Sequence, residues 1–169
     1  DGQATALAGV GAMVLAADCL PVALGCDGAV AMLHAGWRGL AAGVLEAGVL
    51  ALRELAGASI SDDDASPQGE QSIDAIVGPG AGVCCYEVGA EVHEAFKAAG
   101  QRHVPPGTPG TDGGARNIDL RAIAHQRLLA AGVERVRDVD VCTICDERFF
   151  SHRREGARAG RQAGVAWLS

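Results

Sequence analysis

The strongest constraint on the fold is a set of three short apolar runs near the start of the chain. They occupy residues 12–17, 20–24 and 29–33. Runs of this length, bounded by polar or glycine-rich residues, predict buried β-strands. Residues 25–28 between the second and third runs read Gly-Cys-Asp-Gly, which is typical of a tight turn. The sequence therefore predicts a buried β-hairpin that returns the end of the third run to the start of the second.

Two residues with metal-binding or nucleophilic chemistry fall at that end of the hairpin. Cys19 separates the first two runs, and His34 follows the third. A thiolate and an imidazole are zinc ligands, and they also form the nucleophile and base of cysteine hydrolases. Arg38 adds a guanidinium group that can bind an anion. The alternative is that Cys19 is a packed core residue and His34 a structural histidine, and the spacing leaves both interpretations open.

The remaining pattern predicts helices alternating with strands. Helices are expected at residues 40–55, with Gly57 as the stop, at residues 89–99 and at residues 120–131, the last capped by Asn117 or Asp119. Strands are expected at residues 73–77, 133–141 and 163–168. Residues 59–72 and 101–116 read as loops, the second long enough for a lid or binding loop. This pattern predicts one α/β domain over residues 1–169, with a mixed sheet and flanking helices.

Charge and composition exclude several classes of function. The chain has 14 basic and 21 acidic residues and a net charge of -7 at pH 7. This charge repels a phosphate backbone, so nucleic-acid binding is not expected. No apolar run approaches the length of a membrane span, and no signal peptide opens the sequence. The six cysteines are therefore expected to be reduced thiols in a cytoplasmic protein.

Basic residues concentrate near the end of this acidic chain. Five arginines lie between positions 148 and 161. Guanidinium groups bind phosphate through charge-assisted, bidentate hydrogen bonds. The cluster is consistent with a local phosphate site, and the alternative is a set of surface charges on a helix or turn.

Four cysteines away from the hairpin raise a second metal hypothesis. Cys142 and Cys145 are separated by two residues, as in many structural zinc sites. Cys84 and Cys85 are adjacent and lack the gap that lets both thiolates reach one ion. The sequence therefore favours a four-cysteine zinc site less than a site at the hairpin.

Four segments in order resemble the bacterial polyphenol oxidase (laccase-domain) family. They are residues 17–22 (ADCLPV), 34–39 (HAGWRG), 78–89 (GPGAGVCCYEVG), and 142–161, which contains CT, FFSHRR and GR. That family is described as zinc-dependent purine nucleoside phosphorylases, and one branch is called the peptidoglycan editing factor. The resemblance spans nearly the whole chain. It also implies an α/β fold similar to that of the catalytic domains of the cytotoxic necrotizing factors.

The resemblance implies a catalytic zinc held by Cys19 and His34, with copper a less expected metal. The family's other histidine ligand comes from a segment upstream of the first motif. The third ligand is therefore expected to precede Asp1, in an N-terminal segment that this chain lacks. The other candidates within the chain are His93, His125, His152 and Cys84.

The resemblance further implies phosphorolysis of adenosine, inosine and methylthioadenosine, with adenosine deamination as a side activity. Catalysis is assigned to Cys19, His34 and Arg38, and binding of phosphate or substrate to Arg38, Arg153 and Arg161. The residues leave a second chemistry open, in which Cys19 is the nucleophile of an amidase or deamidase that edits peptidoglycan precursors and His34 is its base. Copper-dependent phenol oxidation ranks lower, because a multicopper site needs more imidazoles than the five histidines present.

Overall fold

A computed structural model describes residues 1–58, 72–100, 106–109 and 116–169. The described strands are β1 (Gly2–Thr5), β2 (Gly11–Ala16), β3 (Leu20–Cys26), β4 (Ala29–Ala35), β5 (Asp74–Val77), β6 (Glu87–Val88), β7 (Pro106–Pro109), β8 (Arg116–Ile118), β9 (Arg135–Asp138) and β10 (Gln162–Trp167). The described helices are α1 (Trp37–Ala41), α2 (Val44–Ala58), α3 (Ala90–Ala98), α4 (Leu120–Ala130) and α5 (His152–Glu155), followed by a 3-10 turn at Gly156–Arg158.

The main sheet has five strands in the order β1-β4-β3-β5-β9. All neighbouring pairs are antiparallel except β5 and β9, which are parallel. The predicted hairpin is β3 and β4, with Leu20 opposite Ala35 at one end and Cys26 opposite Ala29 at the other. Its turn uses Gly28 at a φ of 77°, a conformation that glycine adopts without steric cost. This mixed sheet with helices confirms the predicted α/β class.

A second, two-stranded sheet pairs β2 with β10 along their whole length. Buried side chains alternate along β2, and Ala12 and Val14 pack with Met32 of β4. The final strand was predicted to within one residue. Its pairing with β2 was not predicted, because strand partners distant in sequence leave no local signal.

The opposite face of the main sheet is covered by the large apolar cluster, which includes Leu45, Leu52 and Leu128 of α2 and α4. The prediction of a single helix at residues 40–55 is wrong in one respect, because the chain forms two helices there, α1 and α2, which are separated at Gly43. Gly43 has a φ of 87°, which interrupts the right-handed helix. Gly57 lies inside α2 and does not end it there, contrary to the prediction.

The predicted helices at residues 89–99 and 120–131 are confirmed as α3 and α4. The carboxylate of Asp119 caps α4 by accepting a hydrogen bond from the Ala122 amide at 2.9 Å. The strand predicted at residues 133–141 is shorter, since β9 covers only four residues. Within the loop predicted at residues 101–116, β7 is a strand that pairs with β8 in a third sheet, β6-β8-β7. Residues 101–105 and 110–115 of that loop, and residues 59–71 of the other predicted loop, lie outside the described residues.

None of the helices in the described ranges is both long and apolar enough to cross a membrane. All six cysteines are free thiols in this structure.

Candidate functional site

The β3–β4 hairpin places Cys19 and His34 on the same face of the main sheet. Leu20 and Ala35 point into the apolar cluster, so their neighbours Cys19 and His34 lie on the other face by the two-residue period of strands. Pro21 is directly opposite His34, which makes Cys19 a diagonal neighbour of the histidine. Such diagonal pairs are about 7–8 Å apart, within reach of long side chains or a shared ligand. We call residues 18–20 and 34–36 the hairpin end.

Gly36 leaves the space that the Cys19 thiol occupies. A Cβ atom built on Gly36 would lie 2.8 Å from the Cys19 sulfur. This separation is too short for a real contact between a methyl group and sulfur. Glycine at this position therefore lets the thiol lie against the backbone that follows His34.

His34 is held in a form that suits a metal ligand. Its Nδ1 lies 2.8 Å from the Asp1 carboxylate. Burial lowers the pKa of His34, which favours the neutral imidazole. When Nδ1 carries the proton and donates it to Asp1, Nε2 keeps a lone pair.

Cys19 is a protonated thiol in the metal-free chain. Burial, and then the Asp18 carboxylate, raise the pKa of Cys19, while the Arg161 guanidinium partly offsets them. A thiol of this kind becomes a thiolate when a metal displaces its proton. The raised pKa therefore suits a metal ligand better than an unassisted nucleophile.

Asp18 is a buried residue at the hairpin end whose role sequence reasoning missed. Its two carboxylate oxygens accept hydrogen bonds from the Thr143 hydroxyl and from the Arg153 amide, each at 2.7 Å. Its backbone carbonyl accepts from the Ala81 amide, also at 2.7 Å. Its φ of 91° is the one positive value among the described non-glycine residues. Asp18 therefore connects three segments that are distant in sequence to the hairpin end, directly beside Cys19.

Arg153 is fixed next to this carboxylate. Its guanidinium lies over the ring of Tyr86, 4.7 Å from the centroid, and donates a hydrogen bond to the Glu87 carbonyl at 2.8 Å. Burial raises the pKa of the Tyr86 phenol, with smaller contributions from Cys19 and Asp18, while Arg153 lowers it. Tyr86, Arg153, Cys19 and Asp18 are therefore close enough to interact electrostatically.

A groove of about 370 Å³ lies beside the hairpin end and contains two of the predicted arginines. Its lining residues are Trp37, Arg38, Glu87, Val88, Gly89, Glu91, Val92 and Arg153. The Arg38 guanidinium stacks on the Trp37 ring at 4.3 Å from the centroid. The first turn of α3 also lines the groove, and its N-terminus has no side-chain cap. The guanidinium groups of Arg38 and Arg153 make this groove suited to an anion.

The other predicted arginines have different positions. Arg161 donates to the carbonyls of Ala159 and Gly160 at 2.7 and 2.8 Å and does not line the groove. Arg148 forms an ion pair with Asp146 at 2.6 Å. Arg154 donates to backbone carbonyls of the turn that begins at Thr143. The cluster near the end of the chain is therefore largely engaged in contacts within the protein.

None of the four alternative third ligands joins Cys19 and His34. His125 is paired with Asp138 at 2.6 Å, and His152 contacts the Gly156 carbonyl at 3.1 Å. Among the residues that the structure describes, the only group of three or more potential ligands that converge is made of four cysteines. Among the described residues, no converging group combines Cys19 and His34 with His93, His125, His152 or Cys84.

The four converging cysteines form a second site, here called the four-thiol cluster. Its members are Cys84, Cys85, Cys142 and Cys145, whose sulfur atoms all lie within 4.8 Å of one another. Adjacency in the sequence therefore does not keep the sulfur atoms of Cys84 and Cys85 from converging with the other two. The pair occupies a tight turn, in which neighbouring side chains can point to the same side. Four such thiols could bind a metal ion.

The comparisons with known proteins define the class. The family model described as multi-copper polyphenol oxidoreductase laccase matches residues 1–169. The chain therefore belongs to this family, which confirms the resemblance seen in the sequence. A solved structure of the protein NMB0706 from Neisseria meningitidis has the same fold, with a TM-score of 0.79 and 33% identity, and the match covers 100% of this chain and 64% of that one.

The names of two curated relatives describe more specific activities than the family description does. The chain is 42% identical over 173 residues to a protein of Xylella fastidiosa strain Temecula1 named purine nucleoside phosphorylase, covering 99% of this chain and 60% of the relative. It is 37% identical over 168 residues to a protein of unknown prokaryotic origin named adenosine deaminase RL5, covering 95% of this chain and 59% of the relative. The chain thus spans about 60% of the length of these relatives.

Proposed function

We propose that this chain forms part of a purine nucleoside phosphorylase that cleaves adenosine, inosine and methylthioadenosine, with adenosine deamination as a side activity. The observation that carries the proposal is the groove in which Arg38 and Arg153 meet beside the hairpin end. Arg38 lies in α1, which directly follows the strand that carries His34. The Arg153 amide donates a hydrogen bond to the carboxylate of Asp18, the residue before Cys19. The names of the relatives support the same chemistry.

Inorganic phosphate is the nucleophile in this reaction, and the groove supplies its counter-charge. Arg38 and Arg153 offer planar donors with a geometry that matches phosphate. The stacking of Arg38 on Trp37 and of Arg153 on Tyr86 restricts both guanidinium groups before phosphate binds. Pre-ordered donors lose less entropy on binding. These contacts would orient phosphate toward the anomeric carbon of the ribose.

The groove also contains acidic groups that suit the sugar. Glu87 and Glu91 line it together with the two arginines. Carboxylates accept hydrogen bonds from hydroxyl groups. A nucleoside whose ribose hydroxyls face the carboxylates would present its anomeric carbon to phosphate held on the arginines.

The hairpin end has two donors that fit a zinc site. Cys19 and His34 share a face, and burial lowers the pKa of His34, which favours the neutral imidazole that a metal needs. A zinc ion bound there would act as a Lewis acid toward substrate or water. Two protein ligands bind zinc weakly, and a third ligand is not found among the described residues of this chain. Cys19 and His34 are thus proposed as ligands of an incomplete set.

The test is phosphate-dependent cleavage of nucleoside by the zinc-supplemented protein. Liquid chromatography measures release of adenine from adenosine, and 31P NMR measures ribose 1-phosphate. We expect both products only when phosphate is present. We expect Arg38→Met to raise KM for phosphate about 10-fold or more, because a hydrogen-bonded contact to a charged group is worth about 1.5–3 kcal/mol.

Arg137→Met is the matched control, since Arg137 lies on β9 and does not line the groove. Its kinetic constants should match those of the unmodified protein. Equal turnover with and without phosphate, or an Arg38→Met variant with unchanged KM for phosphate, would refute the proposal. Turnover of an amide by metal-free protein, abolished by iodoacetamide, would instead support the amidase hypothesis, and with it the predicted likeness to the cytotoxic necrotizing factors.

A further inference from the structure

We propose that the four-thiol cluster is a closed structural zinc site that fixes the two loops flanking Asp18. This inference is independent of the proposed phosphorylase activity and of any metal at the hairpin end. It rests on sulfur geometry, on the backbone around the sulfurs, and on the position of the cluster next to the buried carboxylate.

The sulfur distances match tetrahedral coordination. Zinc bonds to thiolate sulfur at about 2.3 Å, so the sulfurs of a regular tetrahedron are about 3.8 Å apart. The Cys145 sulfur lies 3.6 Å from that of Cys84 and 3.1 Å from that of Cys85. All four sulfur atoms are within 4.8 Å of one another. Shifts of less than about 1 Å would therefore complete the tetrahedron.

The two turns that carry the thiols are held together by their backbones. The Thr143 amide donates to the Gly80 carbonyl at 3.0 Å, and the Gly80 amide donates to the Val141 carbonyl at 3.3 Å. The Asp146 amide closes the second turn by donating to the Cys142 carbonyl at 3.0 Å. The sulfur positions are thus set by the fold, so little rearrangement is needed when a metal binds.

The backbone near Cys142 has the features of a metal–thiolate environment. The Gly82 amide donates to the Cys142 sulfur at 3.2 Å. A Cβ atom on Gly82 would lie 3.2 Å from the Cys84 sulfur and 3.3 Å from the Cys142 sulfur, so glycine allows this approach. Amide donors to a ligand atom orient it and stabilise its negative charge.

A zinc ion bound by four thiolates carries a net charge of about -2. The positively charged side chain of Arg154 lies beside the cluster and would offset part of that charge. The Arg154 guanidinium donates to the carbonyls of Thr143 and Ile144, the two residues between Cys142 and Cys145. Packing alone does not explain the thiols, because Cys84 and Cys145 are exposed. Zinc binding would displace one proton from each thiol to solvent, without any redox change.

A metal ion in the four-thiol cluster would also affect the position of the groups that hold Asp18 and Arg153. Thr143, inside the Cys-x-x-Cys turn, donates to one oxygen of Asp18. Ala81, just before the other turn, donates to the Asp18 carbonyl. Tyr86, directly after Cys85, supports the Arg153 guanidinium. A zinc ion in the four-thiol cluster would therefore fix groups on two sides of the candidate active site.

The test is elemental analysis of protein purified under reductant from zinc-supplemented cells. We expect one equivalent of zinc that survives dialysis. Cys145→Ser should lose that equivalent, whereas Cys19→Ser and the control Cys26→Ser should keep it. Zinc-edge X-ray absorption of the unmodified protein should show only sulfur neighbours at about 2.3 Å, a readout that does not depend on the folding of a variant.

Several results would overturn the assignment. These are zinc content unchanged by Cys145→Ser, a shell of nitrogen or oxygen neighbours, iron in place of zinc, or metal-free protein with a mass lowered by disulfide formation. Failure of nucleoside cleavage would not bear on the cluster. Loss of zinc only in Cys19→Ser would place the metal at the hairpin end and refute the cluster site.

Discussion

Asp18→Asn is expected to destabilise the protein by about 2 kcal/mol. Asp18 is buried and accepts two hydrogen bonds at 2.7 Å, from Thr143 and Arg153. Asparagine can still accept from the Arg153 amide, and the Thr143 hydroxyl can turn to accept from the new NH2 group. Both bonds then remain, but each loses its charge assistance, which changes a bond of about 1.5–3 kcal/mol into one of about 1 kcal/mol.

Asparagine also tolerates the φ of 91°, so the backbone at position 18 does not change the result. Asp18→Ala should cost more, about 3–5 kcal/mol, because the Thr143 hydroxyl and the Arg153 amide lose their acceptor while buried. Asp27→Asn, at an exposed turn residue, is the control and should stay within about 0.5 kcal/mol of the unmodified protein.

Urea denaturation followed by circular dichroism measures these free energies of unfolding. A thermal scan should show a Tm lowered by about 4–8 °C in Asp18→Asn, since a chain of this size loses about 2–4 °C per kcal/mol. Equal stability of Asp18→Asn and Asp27→Asn would refute the reasoning. So would an Asp18→Ala variant no less stable than Asp18→Asn.

Two further predictions use matched sites. Gly43→Ala should lower the free energy of unfolding by about 1–2 kcal/mol, because φ there is 87°. Gly57→Ala, inside α2 and with no neighbour among the described residues within 4 Å of the added methyl group, should raise that energy by about 0.5–1 kcal/mol. The opposite order of the two variants in urea denaturation would contradict this. In metal-free protein, burial raises the pKa of Cys142, but amide donors such as that of Gly82 outweigh burial and lower this pKa to about 7. The pKa of Cys84 is raised to about 11, mainly by burial. Iodoacetamide should therefore modify Cys142 before Cys84, at a rate that rises as pH passes 7 and then levels off; peptide mass spectrometry showing equal rates for the two thiols would exclude this.

The hairpin was predictable because its signals are local. Apolar runs of strand length and the Gly-Cys-Asp-Gly turn lie within a few residues of one another, and β3 and β4 form where these signals place them. The register follows from the turn, so residue order alone implies that Cys19 and His34 share a face. The break at Gly43 was missed because a single glycine inside an apolar helical pattern is compatible with either a continuous helix or a stop.

The convergence of the four thiols was not predicted, for a physical reason. The spacing rule for zinc ligands assumes that one segment provides a pair of thiolates in a regular turn. Here Cys84 and Cys85 occupy a tight turn, and the Cys145 sulfur meets both from a segment sixty residues away, at 3.6 and 3.1 Å. Nothing in the local pattern around position 84 reports that contact.

The sequence by itself determined the family, the alternation of strands and helices, and the hairpin that carries Cys19 and His34, because each depends on residue order over short spans. Only the tertiary structure decided the roles of Asp18, Arg153 and the four-thiol cluster. The partners of Asp18 are 125 and 135 residues distant in the chain. Such contacts arise from the packing of whole elements, which fixes side-chain distances that residue order leaves undetermined.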